Sequence, residues 1–83
     1  MPKKPPLLPY QIRFGQNVAA LRRKVALSQE KVAELIGVSG RYYQSIEAGR
    51  YYPSLGKLLL LQIALKCSWS DFFEGCVAVK ADG

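Results

Sequence analysis

Residues 40 to 48 read GRYYQSIEA, and on a helix they sort by chemistry. At about 100° per residue from Gly40, Arg41, Gln44 and Ser45 fall at about 100°, 40° and 140°, whereas Tyr42, Tyr43 and Ile46 fall at about 200°, 300° and 240°. Hydrogen-bonding groups occupy one side and apolar anchors the other. A helix of this kind can pack its back on a core and offer its front to base edges in a major groove. An ordinary solvated surface helix would show the same division, so the choice rests on what positions it. Other chemistry is poorly provided for. The sequence contains no histidine, and Cys67 and Cys76 stand apart without a CxxC pair, so zinc-ligand spacing and histidine acid-base catalysis are both missing. Six scattered acids build no paired-carboxylate site and activate no nucleophile. The expectation is a non-enzyme with no metal, cofactor or small-molecule ligand.

The elements around this helix follow from periodicity and capping chemistry. From residue 10 to about residue 25, Phe14, Val18, Leu21 and Val25 recur at steps that keep them in one stripe, which predicts an amphipathic helix. Ser28 is a good N-cap for a second helix over 29–36, with Val32, Ala33 and Ile36 facing one way, and Gly37 supplies its stop. Ser39 can cap the third helix, which Gly49 ends. Only Gly37, Val38 and Ser39 lie between the second and third helices, a connection so short that the two must cross steeply. Pro53 and Ser54 open a fourth helix over about 55–65, and Ser68 caps a short fifth through Asp71, Phe72 and Phe73. The fold class expected is all-α, five short helices around one core.

The chain has 83 residues, 49% of them hydrophobic, enough for one core and too few for two. Twelve Lys and Arg against six Asp and Glu give a net charge of +6, and the whole excess lies in residues 1–50. That balance favours a polyanion as partner, and places the attraction in the first half. No apolar run is long enough to span a bilayer, so no membrane is expected and a cytoplasmic setting is. Residues 1–9 hold four of the five prolines and two lysines, which predicts an extended basic arm, either without a role or laid in a DNA groove. The domain expected is 10–74. The tail, 75–83, has no clear pattern beyond CVAVK, which could form a short strand.

The segment FGQNVAALRRKVALSQEKVAELIGVSGRYYQSIEAG resembles the helix-turn-helix of lambda-repressor and Cro type, the XRE family, and PSLGKLLLLQIALKCSWSDFF resembles that family's fourth and fifth helices. The resemblance covers about residues 12–74. It is carried by Leu21–Arg22, the LSQ of 27–29, Val32–Ala33, the GVS of 37–39, Ile46–Glu47, Gly49 and Pro53–Ser54. It implies a lambda-repressor-like fold with the helix-turn-helix at helices two and three, and double-stranded DNA as partner. Gly40, Arg41, Gln44 and Ser45 then occupy base-facing positions. Arg41 has the fork for guanine O6 and N7, and Gln44 suits adenine N6 and N7. Gly40 departs from the long polar side chain often found there. The resemblance further implies that Gln29 holds a phosphate and braces the third helix, and that Arg22 pairs with Glu47 as a structural link. It puts Arg50 and Lys57 beside the DNA backbone, where each either meets a phosphate or stays solvated; Tyr51 and Tyr52 either lie against sugar and phosphate or cover their loop.

The fourth helix carries more apolar residues than one stripe needs. With Leu55 at zero, Leu55, Leu58, Leu61, Gln62 and Leu65 cluster near about 300°, and Leu59, Leu60 and Ile63 near about 90°. The second face is expected to form a homodimer through Leu60 and Ile63, unless Val77 and Val79 fold back over it. The leading expectation is a sequence-specific transcriptional regulator, of repressor or controller type. The other class is a protein-interaction module on the same scaffold, such as an antitoxin or a polymerase-contacting adaptor.

Overall fold

The computed structural model describes residues 9–76, among which every regular element is a helix. The first, α1 (Pro9–Lys24), begins at a proline. The sequence places Pro9 in the arm; in the fold it takes the first helical position, where its fixed φ is preorganised and its missing N–H is one that the helix leaves unpaired anyway. The rest of the arm, residues 1–8, and the strand expected at CVAVK beyond Cys76 lie outside the described residues. Cys76 itself stands in a turn.

Four serines start the other helices by one device, a side-chain oxygen accepting a backbone N–H three residues on. Ser28 caps α2 (Gln29–Ile36), Ser39 caps α3 (Gly40–Glu47), Ser54 caps α4 (Leu55–Leu65) and Ser68 caps α5 (Trp69–Phe73). At α5 the Asp71 carboxylate also accepts from the Ser68 amide at 3.0 Å, which completes a capping box. Gly37 ends α2 in the left-handed region at φ 75°, and the Gly37 and Val38 amides return to the carbonyls of Glu34 and Ala33.

The core is Phe14 and Val18 of α1, Val32, Ala33 and Ile36 of α2, Tyr43 and Ile46 of α3, Leu61 and Leu65 of α4, and Phe72 of α5. Helix α1 packs on α3 and α5, and α2 packs on α3 and α4. Two side chains of α1 hold the far end of the domain: the Asn17 amide donates to the carbonyls of Phe72 and Glu74 at 2.8 and 2.9 Å, and Arg13 Nε donates to Glu74 at 3.2 Å.

One expectation about α4 is corrected. Leu55, assigned to the inward stripe with Leu61 and Leu65, is 73% exposed, because the first turn of α4 projects past the edge of the core. On the other face Leu60 is 43% and Ile63 68% exposed; Val77 and Val79, the residues that the alternative folds back over this face, lie outside the described residues.

Candidate nucleic-acid interface

The site is built from the α2–turn–α3 unit. Tyr43 and Ile46 fix the back of α3 in the core, and the front faces solvent. Arg41 and Gln44 are exposed, and among the described residues neither side chain has a hydrogen-bond or ion-pair partner. Ser45 is half-buried, and its hydroxyl donates to the Arg41 carbonyl at 3.1 Å, which turns it back toward its own helix. Around Gly40 there is open space: nothing stands within 4 Å of where a Cβ would be.

The surroundings of α3 divide the remaining candidates. Tyr51, exposed in the loop after α3, stacks on the half-buried Tyr42 with ring centroids 5.9 Å apart and planes 19° from parallel, which ties the loop to α3. Tyr52 turns the other way and meets Phe14 edge-on at 5.3 Å, covering the loop. Arg50 is exposed. Lys57 is half-buried, and its ammonium lies against Gly37, within 3.2 Å of where a Cβ would stand. It thus approaches the carbonyl end of α2, where a helix carries partial negative charge.

Behind the front, three side chains from three helices converge. Arg22 Nε donates to Glu47 Oε2 at 2.6 Å and Nη2 to Oε1 at 3.3 Å, while Nη1 reaches the Leu27 carbonyl at 2.9 Å. Gln29 Nε2 donates to Glu47 Oε1 at 2.8 Å. The first residue of α2 and the last of α3 are therefore linked directly, and both are tied to α1. The family resemblance implies both the Arg22–Glu47 pair and a brace from Gln29 to the third helix, but it does not name Glu47 as the group that Gln29 holds, because nothing in the spacing reveals an amide to carboxylate contact between different helices.

Burial pushes the Glu47 carboxyl up, yet the donors Arg22 and Gln29, with the Tyr43 hydroxyl nearby, outweigh it and hold the group below its ordinary 4.5. A depressed carboxylate stabilises the fold fully above its unfolded-state value, and that contribution disappears as pH falls through the folded-state value. Acid unfolding of the wild type should therefore steepen below about pH 4.5, and Glu47→Gln should flatten that limb. Glu47→Ala strands the guanidinium, whose side chain is only 13% exposed, and removal of one partner from a buried pair costs about 3 kcal/mol or more. Thermal unfolding monitored by circular dichroism across pH 3–8 checks both.

Two glycines that sequence reasoning passes over or reads only as a stop control how closely α1 approaches. A Cβ on Gly15 would lie 2.3 Å from the Glu47 carbonyl oxygen, so α1 crosses the end of α3 backbone against backbone. Gly49 has φ 82°, and a Cβ there would stand 2.8 Å from Ile12 Cα. A glycine inside a helical pattern was the available signal for Gly15, since it costs about 1 kcal/mol against alanine and needs a reason.

The helix-turn-helix family model matches residues 18–72, which takes in the end of α1, all of α2, α3 and α4, and most of α5. This chain belongs to the helix-turn-helix family, in its lambda-repressor and Cro branch. Over 65 residues this helix-turn-helix protein is 39% identical to the control protein C.MunI from a Mycoplasma species, covering 77% of this chain and 88% of that one. It is 36% identical over 62 residues to an HTH-type transcriptional regulator of Rickettsia prowazekii, covering 75% of this chain and spanning about half, 48%, of that relative. Among solved structures it superposes on the restriction-modification controller protein C.AhdI from Aeromonas hydrophila with TM-score 0.70 at 35% identity, covering 76% of this chain and 96% of that one. It also superposes on the clp gene regulator ClgR from C. glutamicum with TM-score 0.75 at 25% identity, over 88% and 94% of the two chains.

Proposed function

We infer that this DNA-binding transcriptional regulator reads duplex sequence by laying α3 in the major groove, with Arg41 and Gln44 as its base readers. The observation that carries this reading is the two-sided character of α3: unpartnered donors and acceptors outward, Tyr43 and Ile46 buried behind, and a three-residue turn to α2. Ser45 and the open place at Gly40 contribute less, one because its hydroxyl is occupied and the other because it has no side chain. Gln29 and Arg50 meet phosphates, Tyr51 contacts the backbone from its stack on Tyr42, and Lys57 joins them by swinging away from Gly37. The reading unit is residues 10–74, flanked by the basic arm and the tail. The mechanism is occupancy of a site, by occlusion or by recruitment of polymerase, in a cytoplasmic protein, and the likeness to control proteins favours a controller role. Among the described residues no group of His, Cys, Asp and Glu is suited to hold a metal ion, and no helix is long and apolar enough to cross a membrane.

Selection of bound sequences from a random duplex pool tests the reading, with affinity for the enriched site measured at rising salt. Counterion release makes DNA binding weaken steeply with salt, whereas apolar docking of a protein partner would not. No enrichment at moderate salt would sink the base-reading role.

The exposed side of α4 supports a homodimer through Leu60 and Ile63 on a two-fold site. Such a side, apolar and contiguous over Leu59, Leu60 and Ile63, is the type of patch that marks a partner surface. Leu60→Glu with Ile63→Glu should give a monomer in sedimentation that still folds and that has lost preference for paired half-sites. A variant that stays dimeric would move the interface elsewhere.

A further inference from the structure

The cluster around Glu47 leaves one neighbour unsatisfied. Tyr43 is fully buried, and among the described residues its hydroxyl is the one buried side-chain polar atom without a hydrogen-bond partner. It stands one turn before Glu47 on α3, a spacing that brings two side chains together, and it feels the Glu47 carboxylate without completing a bond to it. A hydroxyl shut away from water and unpaired costs stability. Phenylalanine would suit this position better if packing alone mattered.

Glu47 shows where a spare donor would be used. Its Oε2 is taken by Arg22 Nε at 2.6 Å, but Oε1 depends on Gln29 at 2.8 Å and on a long contact from Arg22 Nη2 at 3.3 Å. Gln29 opens α2 and is half-buried, so it is the one of these donors that an anion at the N-terminus of α2 can draw outward. Once it leaves, Oε1 keeps a single long bond in a carboxylate whose side chain is 8% exposed.

We propose that the Tyr43 hydroxyl is a reserve donor, closing on Glu47 Oε1 when the Gln29 amide is drawn away by a DNA phosphate, so that α3 stays seated on α1 in the bound state. Tyr43 is a positioning residue and touches no DNA. The phosphate role of Gln29 belongs to the function proposed above, and the DNA-bound half of this inference rests on it.

The test compares Tyr43→Phe in the wild type with Tyr43→Phe in a Gln29→Met background, where the competing donor is gone without DNA. In the wild type the melting temperature should stay the same or rise; in the Gln29→Met background it should fall by roughly 5 °C, the worth of one buried hydrogen bond in a domain of this size. With the selected duplex, Tyr43→Phe alone should weaken binding about tenfold, the equivalent of about 1.4 kcal/mol. A purely structural hydroxyl would cost the same in both backgrounds, and that result overturns the proposal. Should Gln29→Met not fold, unchanged duplex affinity of Tyr43→Phe overturns it instead. If the wild type binds no duplex, the DNA-reading function fails, and the DNA-free comparison still decides whether Tyr43 stands in for Gln29.

Discussion

Gly15→Ala is expected to lower the melting temperature by more than about 10 °C, a loss of about 3 kcal/mol at roughly 4–8 °C per kcal/mol for a domain of this size. Two effects oppose each other. Alanine is the better helix former by about 1 kcal/mol, which favours the variant. Against it, the added methyl would sit 2.3 Å from the Glu47 carbonyl oxygen and 2.8 Å from the Ile46 carbonyl oxygen, and both obstacles are backbone. Nothing can rotate out of the way, so α1 and α3 must separate. Overpacking of this kind costs about 1–3 kcal/mol by itself. Separation also stretches Arg22 from Glu47, and the pair cannot be lengthened without leaving both charges short of partners in a half-dry site. The steric loss and the strained pair together exceed the propensity gain. Thermal unfolding of the purified variant gives the answer; a rise in melting temperature would mean that the crossing relaxes freely and that α1 does not gauge the position of α3.

Arg41→Ala should leave the melting temperature unchanged and weaken binding to the selected duplex by about a hundredfold or more. The side chain is exposed and unpartnered among the described residues, so its loss removes nothing from the fold. On DNA, a bidentate contact to guanine discriminates by about 1–3 kcal/mol, and the dimer proposed above would carry two of them on a two-fold site. The loss should be confined to specific binding: one base pair in each half-site should lose its preference in a repeated selection, with the salt dependence nearly unchanged. Gln44→Ala should behave alike at a different base pair. If Arg41→Ala instead weakens all duplexes equally and lowers the salt slope, Arg41 is a phosphate contact and the reading falls to other residues.

What could be read in advance was what is encoded over three or four residues. Ser28, Ser39, Ser54 and Ser68 each cap the helix that follows because a serine oxygen reaches an amide three positions on, and Gly37 ends α2 because glycine accepts positive φ without strain. The opposed faces of α3 were equally plain from their period. Pro9 was misplaced since proline suits both an arm and a first helical turn, and only the packing of α1 decides between them. Leu55 was misassigned because a wheel carries angle but not position along the axis, and the first turn of α4 overhangs the core. The close approach at Gly15, Glu47 as the end point of the Gln29 brace, and the hold of Asn17 on Phe72 and Glu74 were not legible. Each joins groups that the chain brings together from 18 to 57 residues apart, and local chemistry does not foretell such meetings.

The separation of the two faces of α3 bears on how proteins of this design diverge. The side chains that seat α3 enter the core or reach α1, α2 and the following loop, while Arg41 and Gln44 are exposed and, among the described residues, without partners. Exposed positions of this kind tolerate most replacements within about 0.5 kcal/mol. With Arg41 and Gln44 as the base readers proposed above, a gene copy would exchange one operator for another by single substitutions, each intermediate remaining folded, with no need for a compensating change in the core. Ancestry would then be recorded in the buried side of the helix and regulatory allegiance in the exposed one, so that two descendants with nearly superimposable scaffolds could govern unrelated genes.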